Sequence, residues 1–468
     1  MPKRNIVWIV AVVLAGIVVF WVARRESPGP GHGAYREFDS VEYAYHLIKD
    51  KYHQPVRAEE LRGGAVNGMV SKLDEFSSYV GQEKLEAFSH RIMGVDRGLG
   101  LRLERVDGQI TVIGPLANSP AHRAGILSGD VIIAVDSTDV THLSLQRVEA
   151  MLSGPVGQKV AITLIRQDQK QVVLTVERAE YPIQSVQGLY RDSSGNWVYM
   201  IDARQDTACL RVREFINGTA ARLRAVLAQL GGMRGLVLDL RDNPGGMLPE
   251  AVAAANLFLR HGPIVTCRGR DQEPKTYNAH QAGTIPELPI VVLINAGTCS
   301  AAEIVAGAMK LHDRAVIVGT RSRGKGAVQT MFRLAGNLGQ LNLTTSELLI
   351  GLDRPIGRIP GSDLWGVDPH RGQQVQISPD RLAELARLRV RAEVLPCQAP
   401  LEPSTRPAAT APSSRPIATT LLKLDSQLQL AMELLSEPRT IDRILSESRT
   451  ERARQEQPTT MEAARANE

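Results

Sequence analysis

Little in this chain invites a metal, a disulfide framework or a nucleic acid. Its 468 residues include only four cysteines. Cys209, Cys267, Cys299 and Cys397 form no C-x-x-C pair, so neither a zinc site nor a redox dithiol is indicated. Four thiols in a chain of this length do not make a disulfide scaffold. None of the ten histidines falls in an H-E-x-x-H pattern, which removes the helical zinc-protease route. Aromatic residues make up 4%, too few for base-stacking platforms. The net charge of +5 is spread without a block of one sign, so the surface reads as mixed and solvated, with no nucleic-acid partner. No cofactor or metal is expected.

What is present is enough apolar material, 43% of residues, for two or three globular domains. Ile6 to Ala23 runs without charge between Lys3-Arg4 and Arg24-Arg25, about the minimum for a bilayer span. Trp21 stands where a signal-peptide cleavage site wants small residues, so an uncleaved membrane anchor is preferred. Both flanks are basic, and charge does not set its orientation.

After a Pro/Gly-rich spacer, Val41, Tyr45, Ile48 and Tyr52 recur at helical spacing, with Asp39 or Ser40 able to cap the start. A second amphipathic stretch covers about Leu61 to Leu73. From Gly98 the pattern turns to strands. Ile110 to Ile113 and Val131 to Val135 are apolar runs, Ser119-Pro120-Ala121 opens a short helix, and two alternating segments close a hairpin around Gln167 to Gln169. From about Trp197, strands at Ala208–Val212, Leu236–Leu240, Ile290–Ile294 and Ala315–Val318 alternate with helices at Thr219–Leu230, Leu248–Leu259 and Ser300–Leu311. That alternation predicts a layered α/β core. Gln398 to Ile417 reads as a Pro-rich linker, a helix is expected from Asp425 to Leu435, and the last 30 or so residues are charged enough to be disordered.

The chemistry concentrates at Asn295-Ala-Gly-Thr-Cys-Ser300-Ala-Ala-Glu303, which follows an apolar strand and opens a helix. A serine there is exposed at a turn, beside backbone N–H groups able to meet an oxyanion. Ser300-x-x-Glu303 also matches a capping box, and the segment alone favours that plainer role. Lys325, in Gly324-Lys325-Gly326 after another strand, changes the balance. A lysine acts as a general base only as the neutral amine, which desolvation favours. Gln329, four residues on, could aim that amine. A competing pattern is Gly319 to Lys325, which spells G-x-x-x-x-G-K. It lacks the following Ser/Thr, and its next residues look like a strand instead of the helix a phosphate loop requires. Asp242-Asn-Pro-Gly-Gly246 is either a tight turn or a place where glycine amides approach a substrate carbonyl.

Taken in order, these segments resemble the carboxyl-terminal processing peptidases, the tail-specific proteases of serine–lysine type. Leu73-Asp-Glu-Phe-Ser-Ser-Tyr79 is similar to the family's L-D-P-H-S-S-Y. Gly98-Leu-Gly-Leu101, Ser119-Pro-Ala-His-Arg-Ala-Gly125 and Ser128-Gly-Asp-Val-Ile132 resemble its PDZ domain. Leu238 to Gly246 is similar to D-L-R-N-N-P-G-G, the Ser300 segment to S-A-S-A-S-E-I, and Arg323 to Thr330 to F-G-K-G-S-V-Q-T. Thr298 and Cys299 depart from the family's Ser and Ala, and Leu349 to Arg358 departs from its Y-x-P-x-G-R. The resemblance implies Ser300 as nucleophile, Lys325 as base and Gln329 as its orienting partner. The Ala301 amide, with that of Gly245 or Gly246, would form the oxyanion hole. Gly98, Leu99, Gly100 and Leu101 would bind the carboxylate of a substrate's C-terminal tail in the PDZ domain.

The expected architecture is α/β and multidomain. Residues 1–33 form an anchor and spacer, 34–97 a helical region, 98–181 a PDZ domain inserted before a crotonase-like β-β-α peptidase core at 182–380, 381–424 a Pro-rich linker, and 425–468 a helix with a disordered tail. The expected function is a serine endopeptidase that cleaves exported proteins with accessible C-terminal tails. It would be held to the membrane by its N-terminal helix, with the bulk extracytoplasmic and room for a homo-oligomer. The alternative is a catalytically silent PDZ scaffold.

Overall fold

The structure, a computed structural model, describes residues 38–455 except 193, 202–205, 271, 283–284, 359–360 and 396–414. The expected anchor at Ile6 to Ala23 lies outside the described residues. Among these, no helix is long and apolar enough to cross a membrane.

The chain divides into two units, the first ending at Leu73 and the second running from Asp74. The first contains helices α1 (Asp39–Lys51) and α2 (Ala58–Val70). Neither Asp39 nor Ser40 caps α1 as the sequence suggested. Phe38 occupies the cap position and makes no side-chain cap, while Asp39 and Glu42 sit in the first turn, where they favour the positive end of the helix dipole.

The second unit opens with β1 (Ser78–Val80), α3 (Gln82–Ile92) and β2 (Val95–Gly98). A small β-rich body follows, made of β3 (Leu101–Val106), β4 (Gln109–Pro115), α4 (Pro120–Arg123), β5 (Val131–Val135), α5 (Leu145–Leu152), β6 (Lys159–Ile165) and β7 (Gln171–Glu177). Its main antiparallel path runs β3-β4-β5-β6-β7, leaving β3 at an edge. Ser119 caps α4 by accepting from His122 N at 3.2 Å, the helix start that Ser-Pro-Ala announced. Inward residues Ile110, Val112, Ile132, Val160, Ile162 and Leu164 are at most 1% exposed and form this body's own core.

Strand β8 (Ala179–Pro182) returns to pair with β2, and the α/β core begins at β9 (Val186–Gln187). It continues through β10 (Thr207–Val212), α6 (Thr219–Gln229), β11 (Gly235–Asp239), α7 (Leu248–Asn256), β12 (His261–Gly269), β13 (Lys275–His280), β14 (Ile290–Ile294), α8 (Ala301–Leu311), β15 (Val316–Gly319), β16 (Ala327–Arg333) and β17 (Gln340–Ile350). The central sheet has the order β9-β10-β11-β14-β15, with parallel pairing from β10 onward. A second, antiparallel sheet orders β1-β17-β12-β13, with β16 also on β17.

The parallel strands are continuous apolar runs because both of their faces are buried. Leu236, Leu238, Val292, Ile294 and Ile317 point into the core shared with α6, α7 and α8. Val237, Val291, Leu293, Val316 and Val318 point the other way and need a cover. The C-terminal segment supplies it. Among the described residues, four helices follow the strands: α9 (Pro379–Glu393), α10 (Arg415–Leu424), α11 (Ser426–Ser436) and α12 (Pro438–Gln455). Leu428, Leu434, Leu435, Ile441 and Ile444 pack against that second face. Each such side chain, fully buried, contributes about 1.5–3 kcal/mol.

Two expectations change here. Residues 381–424, read as linker, include most of α9 and all of α10. The charged tail, read as disordered, is helical to Gln455. Its Ile441 and Ile444 are three apart, on one side of a helix, and bury there, while Arg449 and Arg452 pair with Asp313. The expected helix after Asp425 forms as predicted, with the Asp425 carboxylate accepting from Leu428 N at 3.0 Å.

Candidate active site

The turn between β14 and α8 is built by side chains that replace regular pairing. Asn295 N donates to Thr298 Oγ1 at 3.0 Å, and that hydroxyl donates to Leu240 O at 2.9 Å. Cys299 N donates to Asn243 O, and Asp242 N to Asn295 Oδ1, both at 2.9 Å. The serine-bearing turn and the loop after β11 are therefore laced together. Ser300 itself has φ 52°, ψ −115°. A non-glycine residue held there stores roughly 1–3 kcal/mol of backbone strain. That strain is maintained by the surrounding bonds, and Ser300 lines a cavity of about 560 Å³.

Glu303 is fully buried, and its carboxylate is shared between both chemical segments. Oε2 accepts from Ser300 N at 2.7 Å and from Lys325 N at 2.9 Å. Oε1 accepts from Gly324 N at 2.6 Å and from the Ser322 hydroxyl. Burial raises the carboxyl above its ordinary range, and these hydrogen bonds oppose the rise. The capping box that Ser300-x-x-Glu303 suggested is present. Glu303 does cap the Ser300 amide, but the same carboxylate also fixes the loop carrying Lys325. It also disposes of the phosphate-loop pattern, since the amides of Gly324 and Lys325 already hold this carboxylate and the next element is strand β16.

Lys325, half-buried, lines the same cavity as Ser300, and its Nζ lies 5.1 Å from the centroid of the Phe76 ring. Gln329 lines it too, beside a register shift in β16. Its amide nitrogen faces Thr344 Oγ1 at 3.4 Å and Ala327 O at 3.5 Å, and among the described residues no hydrogen bond joins Gln329 to Lys325. Cys299 is 6% exposed, and its thiol is pushed up to about 11, chiefly by burial and then by the neighbouring Glu303 carboxylate. It stays a neutral, buried thiol.

The two glycines of the loop separate into different roles. A Cβ at Gly245 would stand 2.7 Å from Cys299 O, 2.8 Å from Ser300 Cβ and 3.0 Å from Ala301 N, so only glycine lets the loop lie against the serine turn. Its amide, however, donates to Asn243 Oδ1 at 2.9 Å. The amides of Gly246 and Ala301 meet no acceptor among the described residues, and both residues line the cavity. Sequence reasoning left Gly245 and Gly246 level because Asn243, whose side chain occupies the first amide, was read only as a turn former.

In the β-rich body, Gly98 has φ 129° and Gly100 φ 71°. The carbonyls of Leu99 and Gly100 accept from Ala121 N at 2.9 Å and Leu116 N at 2.8 Å, so the Gly98–Leu101 loop is tied to α4 and the turn before it.

Against known proteins, the Peptidase family S41 model matches residues 206–370, a PDZ domain model residues 111–166, and a model of the activating protease CtpB N-terminal domain residues 23–84. The chain is 31% identical to a carboxy-terminal-processing protease of Bartonella bacilliformis, across 73% of this chain and 78% of that one. It belongs to the carboxy-terminal processing proteases. The carboxy-terminal processing protease CtpA of Bacillus subtilis is likewise 31% identical, over 69% of this chain and 68% of its own. Among solved structures, a photosystem II D1 C-terminal processing protease aligns at 26% identity and a TM-score of 0.40, covering 74% of this chain and 90% of that one. The protein is accordingly a serine-type peptidase of family S41 with a PDZ domain, a mixed α/β multidomain chain whose substrates are proteins.

Proposed function

We propose that this processing protease cleaves by a serine–lysine mechanism with Ser300 as nucleophile and Lys325 as general base. The observation that carries the reading is one cavity lined by Ser300, Lys325, and the two residues with unengaged amides, Ala301 and Gly246. Ser300 Oγ attacks the scissile carbonyl and its proton passes to Lys325 Nζ. The carbonyl oxygen takes the negative charge between the Ala301 and Gly246 amides. The C–N bond then breaks, Lys325 returns the proton to the leaving amine, and water hydrolyses the acyl-enzyme by the same route. Gln329 is assigned to orienting the amine once substrate fills the cavity, a contact that tightens only in the complex.

Substrate choice is assigned to the PDZ domain, proposed to span 98–181. Edge strand β3 offers unpaired main-chain groups to an extended tail, and the Gly98–Leu101 loop lies at its start, placed to receive the terminal carboxylate. The peptidase core at 182–380 is read as a crotonase-like arrangement of β-β-α units, and Ile6 to Ala23 as an anchor that leaves the bulk extracytoplasmic. The test is cleavage of an unstructured protein with an apolar tail by the full chain, with Ser300→Ala and Lys325→Ala beside it. Activity in the parent and loss in both variants is expected. Activity retained in either variant refutes that residue's role. A substrate with an amidated C-terminus should be cut more slowly, and equal rates would remove the PDZ assignment.

A further inference from the structure

Behind the loop that carries Gly245 and Gly246 lies a buried group of charges, of which Asp239 and Arg241 fall inside the residues matched by the family's peptidase model, 206–370, while Arg389, Asp425 and Gln427 lie beyond its end. Arg241 is 3% exposed, and each of its five guanidinium N–H groups has an acceptor. Nε donates to Asp239 Oδ1 and Nη2 to Asp239 Oδ2, both at 2.8 Å. Nη1 and Nη2 donate to the two oxygens of Asp425, again at 2.8 Å, and Nη1 to Gln427 Oε1 at 3.0 Å. Asp425 is 2% exposed and Gln427 3%. Arg389 from α9 adds a second cation, with Nη2 3.4 Å from Asp239 and Nη1 3.3 Å from Asp242. Two buried carboxylates thus face two guanidiniums.

Arg241 stands at the point where β11 gives way to the loop. The next residue, Asp242, holds φ 58° and bonds to Asn295, and Asn243 bonds to Cys299 and Gly245. An arginine gripped on both sides by bidentate carboxylates cannot rotate or translate without breaking several charge-assisted bonds at once. Half of that grip comes from a residue 184 positions away, at the start of α11.

We propose that Asp425 is a positioning residue for the oxyanion site, acting through Arg241 on the Gly245-Gly246 loop, so that the segment after the Pro-rich insert completes the peptidase site from behind. This rests on the serine–lysine reading and adds to it a dependence of transition-state binding on the C-terminal segment. The packing of α11 against the sheet stabilises the fold, and Asp425 has a second task that packing does not share.

The experiment uses the full chain, with Asp425→Asn and, as a packing control, Leu434→Ala. Leu434 is 5% exposed in the same helix and lies outside the charge cluster. Each protein is assayed for kcat and KM on a peptide substrate and for affinity toward the matching peptide aldehyde. Addition of the Ser300 O–H across that aldehyde carbonyl places the new hydroxyl or oxyanion at the proposed amides. Asp425→Asn should lower kcat and aldehyde affinity together, by ~10-fold or more, with KM changed by less than about twofold. Leu434→Ala should lower the melting temperature while leaving both ratios near those of the parent. Aldehyde affinity unchanged in Asp425→Asn, or reduced equally by Leu434→Ala, overturns the proposal. If Asp425→Asn does not fold, Gln427→Met removes one Arg241 acceptor and must show the same paired loss in milder form, and its absence overturns the proposal. Equal aldehyde binding by Ser300→Ala would instead refute the serine reading, which keeps the two failures apart.

Discussion

Replacing Glu303 by Gln tests the device that joins the Ser300 turn to the Lys325 loop. The change keeps the shape and replaces one acceptor oxygen with an amino group. Each Glu303 oxygen accepts two bonds, Oε1 from Ser322 and Gly324 N, Oε2 from Ser300 N and Lys325 N. Whichever way the new amide turns, two donors lose their acceptor. Each buried donor left unmet costs about 1–3 kcal/mol. Relief of the burial that raises this carboxyl offsets part of the loss. The net expectation is a destabilisation of about 2–4 kcal/mol. Turned one way, the variant frees the Ser300 and Lys325 amides. Turned the other, it frees the Lys325 loop at Gly324. Either displaces the proposed nucleophile or the proposed base, and a shift of about 1 Å is enough to lower kcat by ~100-fold. Thermal unfolding and kcat on an apolar-tailed protein are the assays. A melting temperature unchanged by more than about 1 °C, where ~2 kcal/mol should move it by several degrees, together with an unchanged kcat, would refute the shared-anchor argument.

Three further outcomes are expected. Gly245→Ala, at φ 98° and with its new Cβ inside contact distance of Cys299 O, should cost kcat ~100-fold with KM little changed, and steady-state kinetics on the parent and variant decide it. Asp239 and Asp425 are buried, but the adjoining Arg241, with Arg389, more than offsets that burial and holds both carboxyls below their usual range. Their contribution is therefore present above a pH of about 4, and it is lost as pH falls through the depressed values. Melting curves from pH 6 downward should show that acid limb, shallower in Asp425→Asn. Lys310, whose Nζ donates to Asp368 O at 2.7 Å and Pro369 O at 3.3 Å, is lowered to about 8 by burial and neighbouring arginines. The unfolded chain then holds more protons between about pH 8 and 10.5, so stability should rise with pH across that window, and Lys310→Met should flatten the rise.

Local chemistry made much of this protein legible from its residues alone. The strands at Ile290–Ile294 and Val316–Gly319 and the helix from Ala301 follow from apolar runs and a helix-opening segment, which act over a few neighbours. The Ser119 cap, the Gln167–Gln169 hairpin and the Asp425 cap are likewise set within three or four residues. Ser300 and Lys325 stand out in the sequence as candidates because each sits at a strand end among small residues. Tertiary structure decided what depends on a distant partner. The occupied amide of Gly245, the double duty of Glu303 and the five-bond grip on Arg241 each join segments through a side chain whose type permits many partners and whose spacing names none. The charged C-terminal stretch is the clearest instance. Its Ile441 and Ile444 are too few to hold a helix by themselves, and they become a helix face because Val316 and Val318 belong to an apolar sheet face on which they pack.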